Sequence, residues 1–260
     1  MPSDSDQPVV KVENVSITYR TTFEKRPTLK SAVLRLGRGE RAVREVKAVQ
    51  HVSFDVSQGS VLGIIGSNGA GKSTLVRAIA GILPPTEGRI EVRGRVSTLL
   101  ALGVGFNPNI SGRENVVLGG LAAGYNRSEI QDRYEEIADF AELGDFMDLP
   151  MRTYSSGMFS RLAFAVAVHM EPDILLVDEA LSAGDAKFKE KATNKMMELV
   201  SQARTMFMVT HALGTVVEMC NDAIWLDKGV LQMRGEPQEV VDAYTHFVRV
   251  GRTASTLEDL

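Results

Sequence analysis

The sequence predicts an α/β fold, a parallel-sheet core interrupted by a helical insert. Two short runs, 61–65 and 174–177, are apolar on both faces, as strands buried in a parallel sheet are, and each is followed by a helical pattern. Between them, residues 111–171 read as almost wholly helical. With 260 residues, 44% hydrophobic and 24% charged, the chain fits one globular domain over 1–260 and neither a disordered nor a fibrous one.

Taken in order, Val10 through Tyr19 is partly alternating and reads as a strand, as does Val49 through Val56, with Val52, Phe54 and Val56 on one face. Between Arg20 and Lys47 stand nine basic and three acidic residues, a local +6 that leaves −10 on the rest of a chain of net charge −4. Inside this basic insert (20–48), Leu29, Val33 and Leu36 recur at helical spacing and predict a short amphipathic helix ending at Gly37. After the strand Val61–Ile65, Leu75, Ile79 and Ile82 mark a helix that Pro84 and Pro85 stop, and 89–94 reads as a short strand. In the helical region, taken as 106–171, Ser111 with Glu114 and Ser128 with Gln131 have capping-box spacing. Ile130, Tyr134, Ile137 and Ala141 form an apolar stripe closed by Gly144. A strand over Ile174–Val177, a helix around Phe188 to Val200 and a strand over Met206–Val209 restore the alternation. Pro237 suits a first helical turn, followed by Val240, Val241, Tyr244 and Val248, in a terminal segment 236–260.

Several function classes are excluded on composition. A net negative chain is not a whole-surface nucleic-acid binder. One cysteine, Cys220, excludes a disulfide framework and a multi-cysteine zinc site. Its phase with Leu213, Val216 and Val217 predicts a core thiol, and His169 reads as a packed histidine. The longest charge-free run, 96–112, is broken by glycines and Pro108 and cannot span a bilayer, and the acidic, polar first residues are unlike a secretory signal. A cytoplasmic protein is expected.

Three segments carry chemistry. Gly66, Ser67, Asn68, Gly69, Ala70, Gly71, Lys72, Ser73 and Thr74 match G-x-x-x-x-G-K-[ST] between a strand and a helix. Glycines let backbone N–H groups turn toward phosphate oxygens, and the helix start adds partial positive charge. Lys72 is expected on the outer phosphates and the Ser73 hydroxyl on Mg²⁺. The strand at 174 ends in two carboxylates: Asp178 is expected to hold Mg²⁺ and Glu179 to act as general base toward water. Tyr154, Ser155, Ser156, Gly157 and Met158 place small residues at a helix start, a second anion site.

With the phosphate loop before it and the acids about twenty residues after, the Tyr154–Met158 stretch resembles the signature motif of ABC-transporter ATPases. The resemblance covers nearly the whole chain. It implies a P-loop NTPase, RecA-like core with an antiparallel β region and a helical subdomain, binding ATP with Mg²⁺. Its tip at Ser155 and Gly157 would close on the γ-phosphate held by a second copy. It further implies a loop role for Asp185 between the two sites, a γ-phosphate-sensing role for His211 and adenine stacking by Tyr19. YSSGM with RLAFAVA, LGVGFNP with SGREN, and LSAGD resemble the ATPase subunits of bacterial polysaccharide exporters, which serve O-antigens, teichoic acids and other lipid-linked glycans. That likeness implies two copies of the chain with two separate membrane permease subunits, on the cytoplasmic face of the inner membrane, without nucleic acid. It also implies that the chain, ending soon after its last helix, lacks the carbohydrate-recognition domain of some members.

The chain departs from the family pattern at three places. Ser156 replaces the first glycine of LSGGQ, with Tyr154 and Met158 as the outer residues; Leu102 to Asn107 holds no Q-loop glutamine; and a long gap separates Tyr19 from the phosphate loop. The basic insert reads equally as a solvated loop or as a surface for anionic headgroups or a membrane subunit. Rival readings are a soluble ABC ATPase of DNA repair or translation, an ABC transporter ATPase with a non-glycan substrate, and a P-loop nucleotide kinase or regulatory ATP-binding module. The soluble ATPases usually carry tandem units or long coiled coils, and a kinase needs an acceptor site and a lid.

Overall fold

A computed structural model of the chain describes residues 8–22, 43–99, 103, 105–178, 186–202 and 204–258. Strands β1 (Val10–Thr22) and β2 (Val43–Val56) pair antiparallel, and β4 (Glu87–Val92) joins the other edge of β1. The second sheet has the order β5 (Val96–Thr98), β6 (Ile174–Asp178), β7 (Thr205–Val209), β3 (Val61–Ile65), β8 (Asp222–Asp227), β9 (Val230–Gly235), parallel except for β9. The helices are α1 (Lys72–Ile79), α2 (Gly112–Ala122), α3 (Arg127–Ala141), α4 (Ser156–His169), α5 (Ala186–Ser201), α6 (Leu213–Met219) and α7 (Pro237–Glu258).

The parallel sheet is covered on both faces, which is why its strands are continuously apolar. Leu62, Ile64, Ile174, Leu176, Phe207 and Val209 face α1 and the antiparallel sheet, where Leu75, Val76 and Ile79 meet Val49, Val52 and Phe54. The alternate residues Val61, Leu175, Val177, Met206 and Met208 face α5 and the helical region, with Ile130, Ile137, Leu162 and Val166. Leu75 is fully buried between the layers, and its truncation to alanine would cost about 2–5 kcal/mol.

Several local expectations change. The ladder runs to Thr22 and resumes at Val43, so both ends of the stretch read as insert are paired strand, with Arg20 opposite Glu45 at 3.0 Å. The helix expected around Leu29, Val33 and Leu36 lies outside the described residues. Helix α1 ends at Ile79, before the prolines, because Gly81 takes a left-handed φ of 71°. There Ile82 N–H donates to the Arg77 carbonyl and Gly81 N–H to that of Ala78, both at 3.0 Å, a Schellman closure that leaves Ile82 exposed.

The Ser111–Glu114 capping box forms, but the box on α3 uses Asn126 and Glu129 in place of Ser128 and Gln131. Asparagine caps as well as serine does, and Asn126 precedes the first helical residue. The stripe of α3 is buried as its periodicity predicts, and the helix closes on Glu142 in a left-handed conformation, two residues before Gly144. His169 is buried, its Nδ1 3.0 Å from the Ala165 carbonyl and its ring 4.6 Å from that of Phe140, and burial lowers its pKa.

Cys220 sits at the end of α6, half-buried, and Val217 beside it is exposed. Burial pushes the thiol pKa up to about 12. Because the thiolate is the nucleophile, iodoacetamide at mildly alkaline pH is expected to leave the native protein unlabelled and to alkylate Cys220 once denaturant is added. Labelling of the native protein at the denatured rate, read by mass spectrometry, would contradict this environment.

Candidate functional site

Because β3, β6 and β7 are parallel, their carboxyl ends open on one edge of the sheet, where ligands of open α/β sheets bind. Asp178 and Ile64 both register with Val209, so the acidic strand end and the start of the phosphate loop stand at one level, on either side of β7. Neighbouring strands lie about 4.8 Å apart, which puts the two backbones roughly 10 Å from each other. His211 follows β7 on the same edge and is exposed. Of Asp178 the backbone is described; Glu179 and Asp185 lie outside the described residues.

The phosphate loop is wedged into place by backbone. Gly66, at φ 146°, passes so close to β8 that a Cβ there would sit 2.1 Å from the Leu226 carbonyl oxygen. Gly71, at φ 102°, would put a Cβ 2.2 Å from the Ala48 oxygen on β2. The hairpin turn Lys228–Gly229 closes the support: Gly229 N–H donates to the Ala70 carbonyl at 2.9 Å, and Gln50 of β2 donates from N–H and Nε2 to the Gly229 and Lys228 carbonyls, each at 2.8 Å. Ser67, Asn68 and Gly69 crown the loop in solvent.

Gly71 is the N-cap of α1, and the first-turn N–H groups of any helix point back toward the segment that precedes it. Lys72 is 6% exposed, and its Nζ donates to the Gly66 and Ser67 carbonyls at 2.7 and 3.0 Å. The ammonium is therefore held inside the curl of the loop. Ser73 and Thr74 follow it in the first turn, half-buried.

Tyr19 lies close to this loop in space despite the sequence gap. Its hydroxyl is 3.4 Å from Thr74 Oγ1 and the residue is 37% exposed. Register places the exposed Val46 directly across the ladder from it.

The Tyr154–Met158 segment forms the tip of α4. Ser155 is its N-cap, its Oγ accepting from Met158 N–H at 3.2 Å, and Ser155 and Ser156 are exposed. Among the described residues, a Cβ on Gly157 would meet nothing nearer than Ser155 Oγ at 3.8 Å, so no packing among them requires glycine there. Tyr154 has a structural reason to replace the family residue: its hydroxyl donates to the Phe146 carbonyl at 2.7 Å and bears on Gly112, bracing the tip against the start of α2. Phe106, in the stretch without a glutamine, packs edge-on to Phe159 at 5.8 Å.

Some of this support was missed from the sequence. The hairpin β8–β9 turns on Lys228 (φ 48°) and Gly229 (φ 83°), the signature of a type I′ turn, and its two-residue loop after Asp227 was the available signal. The contact of Ala48 with Gly71 had no local signal.

The sequence model of the ABC transporter family matches residues 49–182. The chain is 44% identical over 98% of its length to an O-antigen export system ATP-binding protein of Myxococcus xanthus, spanning 59% of that protein. It is 36% identical to the protein so named in Klebsiella pneumoniae, over 92% of this chain and 98% of the other. A teichoic acids export ATP-binding protein of Bacillus anthracis is 41% identical over 92% of the chain, which spans 43% of it. Among solved structures, the ATP-binding subunit of an ABC transporter superposes with TM-score 0.68 at 20% identity, over 88% of this chain and 90% of that one. An ATP-binding cassette solved as a post-hydrolysis dimer with ADP and Pi gives 0.67 at 23% identity, over 88% and 98%. Both likenesses concern the fold.

Proposed function

Since the chain belongs to the ABC transporter family, we propose that it is the ATP-hydrolysing subunit of a bacterial exporter that moves a polysaccharide or lipid-linked glycan across the cytoplasmic membrane. The observation that supports this most is the alignment of nearly the whole chain with an O-antigen export protein at 44% identity.

In this reading ATP lies along the phosphate loop, Gly66 to Thr74, with Lys72 drawing its ammonium toward the β- and γ-phosphates. Tyr19 stacks on adenine, a role supported by the nearness of its hydroxyl to Thr74 of the phosphate loop. The open space over Gly157 and the exposed Ser155 receive the γ-phosphate of ATP held by a second copy, so each site is completed by two chains. Glu179 accepts the proton of the attacking water, His211 reads the γ-phosphate, and Asp185 belongs to the loop that links the two sites. Ser73 and Asp178 offer oxygen donors only, the set a hard divalent cation takes. When bound there, Mg²⁺ would neutralise charge developing on the phosphates.

No helix among the described residues is long and apolar enough to cross a membrane. The chain is accordingly proposed to work at the cytoplasmic face as a peripheral pair of subunits on two separate permease subunits. The basic insert is proposed to meet anionic headgroups or the permease. Neutralising Arg35, Arg38 and Arg41 together is expected to slow export while leaving the ATPase rate of the free protein within about twofold, and equal export by the variant would return the segment to a solvated loop. The reading as a whole is tested in inverted vesicles carrying the chain and its permease. ATP-dependent uptake of a lipid-linked glycan is expected, and uptake that persists without the chain would overturn it.

A further inference from the structure

We propose that Glu142 is a positioning residue for turnover, clamping the helix that follows the acidic strand end onto the helix that carries the serine-glycine tip. This rests on the ATPase reading above. Three helices meet at its carboxylate. It closes α3 as a C-cap and accepts from Arg161 of α4 at 3.0 Å and from Lys191 of α5 at 2.8 Å, with Lys187 of α5 at 3.8 Å.

Lys191 Nζ also donates to the Phe140 carbonyl at 3.2 Å and lies over the Phe140 ring. Phe188, one turn earlier, meets Phe140 and Phe164 edge-on, each at 5.7 Å. The first half of α5 is thereby fixed to α3 and α4. Its second half is fixed to the sheet, where Met196 and Leu199 share a core with Met206 and Met208 and Arg204 N–H donates to the Leu199 carbonyl.

Helix α5 therefore bridges the helical region and the strands whose ends carry Asp178 and His211. Its first residue follows directly on 179–185, which holds Glu179 and Asp185. Without the carboxylate, Arg161, Lys187 and Lys191 lose their shared acceptor, and the start of α5 is tied less firmly to α4.

A second observation points the same way. Glu142 has φ 51°, a left-handed conformation at a helix end where glycine is the favoured residue. The contacts of its carboxylate with Arg161 and Lys191 offset that backbone cost.

The test separates positioning from simple stability. Glu142→Gly removes the carboxylate but relaxes the backbone, so the melting temperature is expected to hold or rise. Turnover is expected to fall about ten- to a hundredfold at unchanged KM for ATP, and hydrogen exchange in the first turns of α5 to quicken. Lys191→Met is expected to reproduce both effects, and Glu142→Asp to restore part of the turnover. A kcat within twofold of the wild type in both variants, a matching change in KM, or unaltered exchange in α5 would overturn the proposal. A wild-type chain that hydrolyses no ATP would instead overturn the ATPase reading, while the exchange measurement would still decide the clamp.

Discussion

Lys72→Ala is expected to weaken ATP binding by about 2–4 kcal/mol, roughly 30- to 1,000-fold in Kd. The side chain is buried inside the loop and tied to the Gly66 and Ser67 carbonyls, so its charge is already desolvated and aimed before any nucleotide arrives. Removing it takes away the cation in the cradle and the two bonds that hold the curl. Lys72→Arg keeps the charge but brings a longer planar head into a space shaped by two carbonyls, and it is expected to recover little of the affinity. Isothermal titration with ATP measures both variants, and equal affinity for Lys72→Ala would remove the lysine from the phosphate site. Loss of affinity with an unchanged melting temperature would locate the effect in binding and not in the fold.

The phosphate cradle was legible because its signal is local. A strand apolar on both faces, three glycines and a helix follow one another within twenty residues, and each obeys a rule of backbone conformation or burial. The stripe Ile130, Tyr134, Ile137 and Ala141 was legible for the same reason. What holds the cradle was not, because it comes from chain segments far away in sequence: Ala48 under Gly71, Leu226 over Gly66, and Gly229 bonded to Ala70. The closeness of Tyr19 to Thr74 likewise depends on how β1 and β2 register, which alternation alone does not fix.

Boundaries failed where two good signals competed. Gly81 ended α1 before Pro84 could, because a left-handed glycine satisfies the last carbonyls at once. Asn126 took the cap from Ser128 because it stands at the right place in the chain. Glu142 is the opposite case, a residue that breaks the local preference for glycine, and it marks a place where tertiary contacts overrule local conformation.

Glu179→Gln is expected to lower ATP hydrolysis about 10²- to 10⁴-fold while leaving ATP affinity unchanged. Glutamine has the size and hydrogen-bonding reach of glutamate but cannot take a proton from water, so what is lost is base catalysis alone. The neighbouring carboxylate cannot substitute. Asp178, the last residue of β6, is the proposed oxygen donor to Mg²⁺, and a carboxylate committed to a cation is a poor base. If hydrolysis is what opens the paired chains, the variant should also accumulate with ATP as a stable dimer, visible by size-exclusion chromatography, whereas Lys72→Ala should remain monomeric under the same conditions. Phosphate release measured at saturating ATP decides the first part. A rate reduced less than about tenfold would mean that the base lies elsewhere, and a variant that is slow yet never dimerises with ATP would mean that the tip at Ser155 and Gly157 does not close on the second copy's nucleotide.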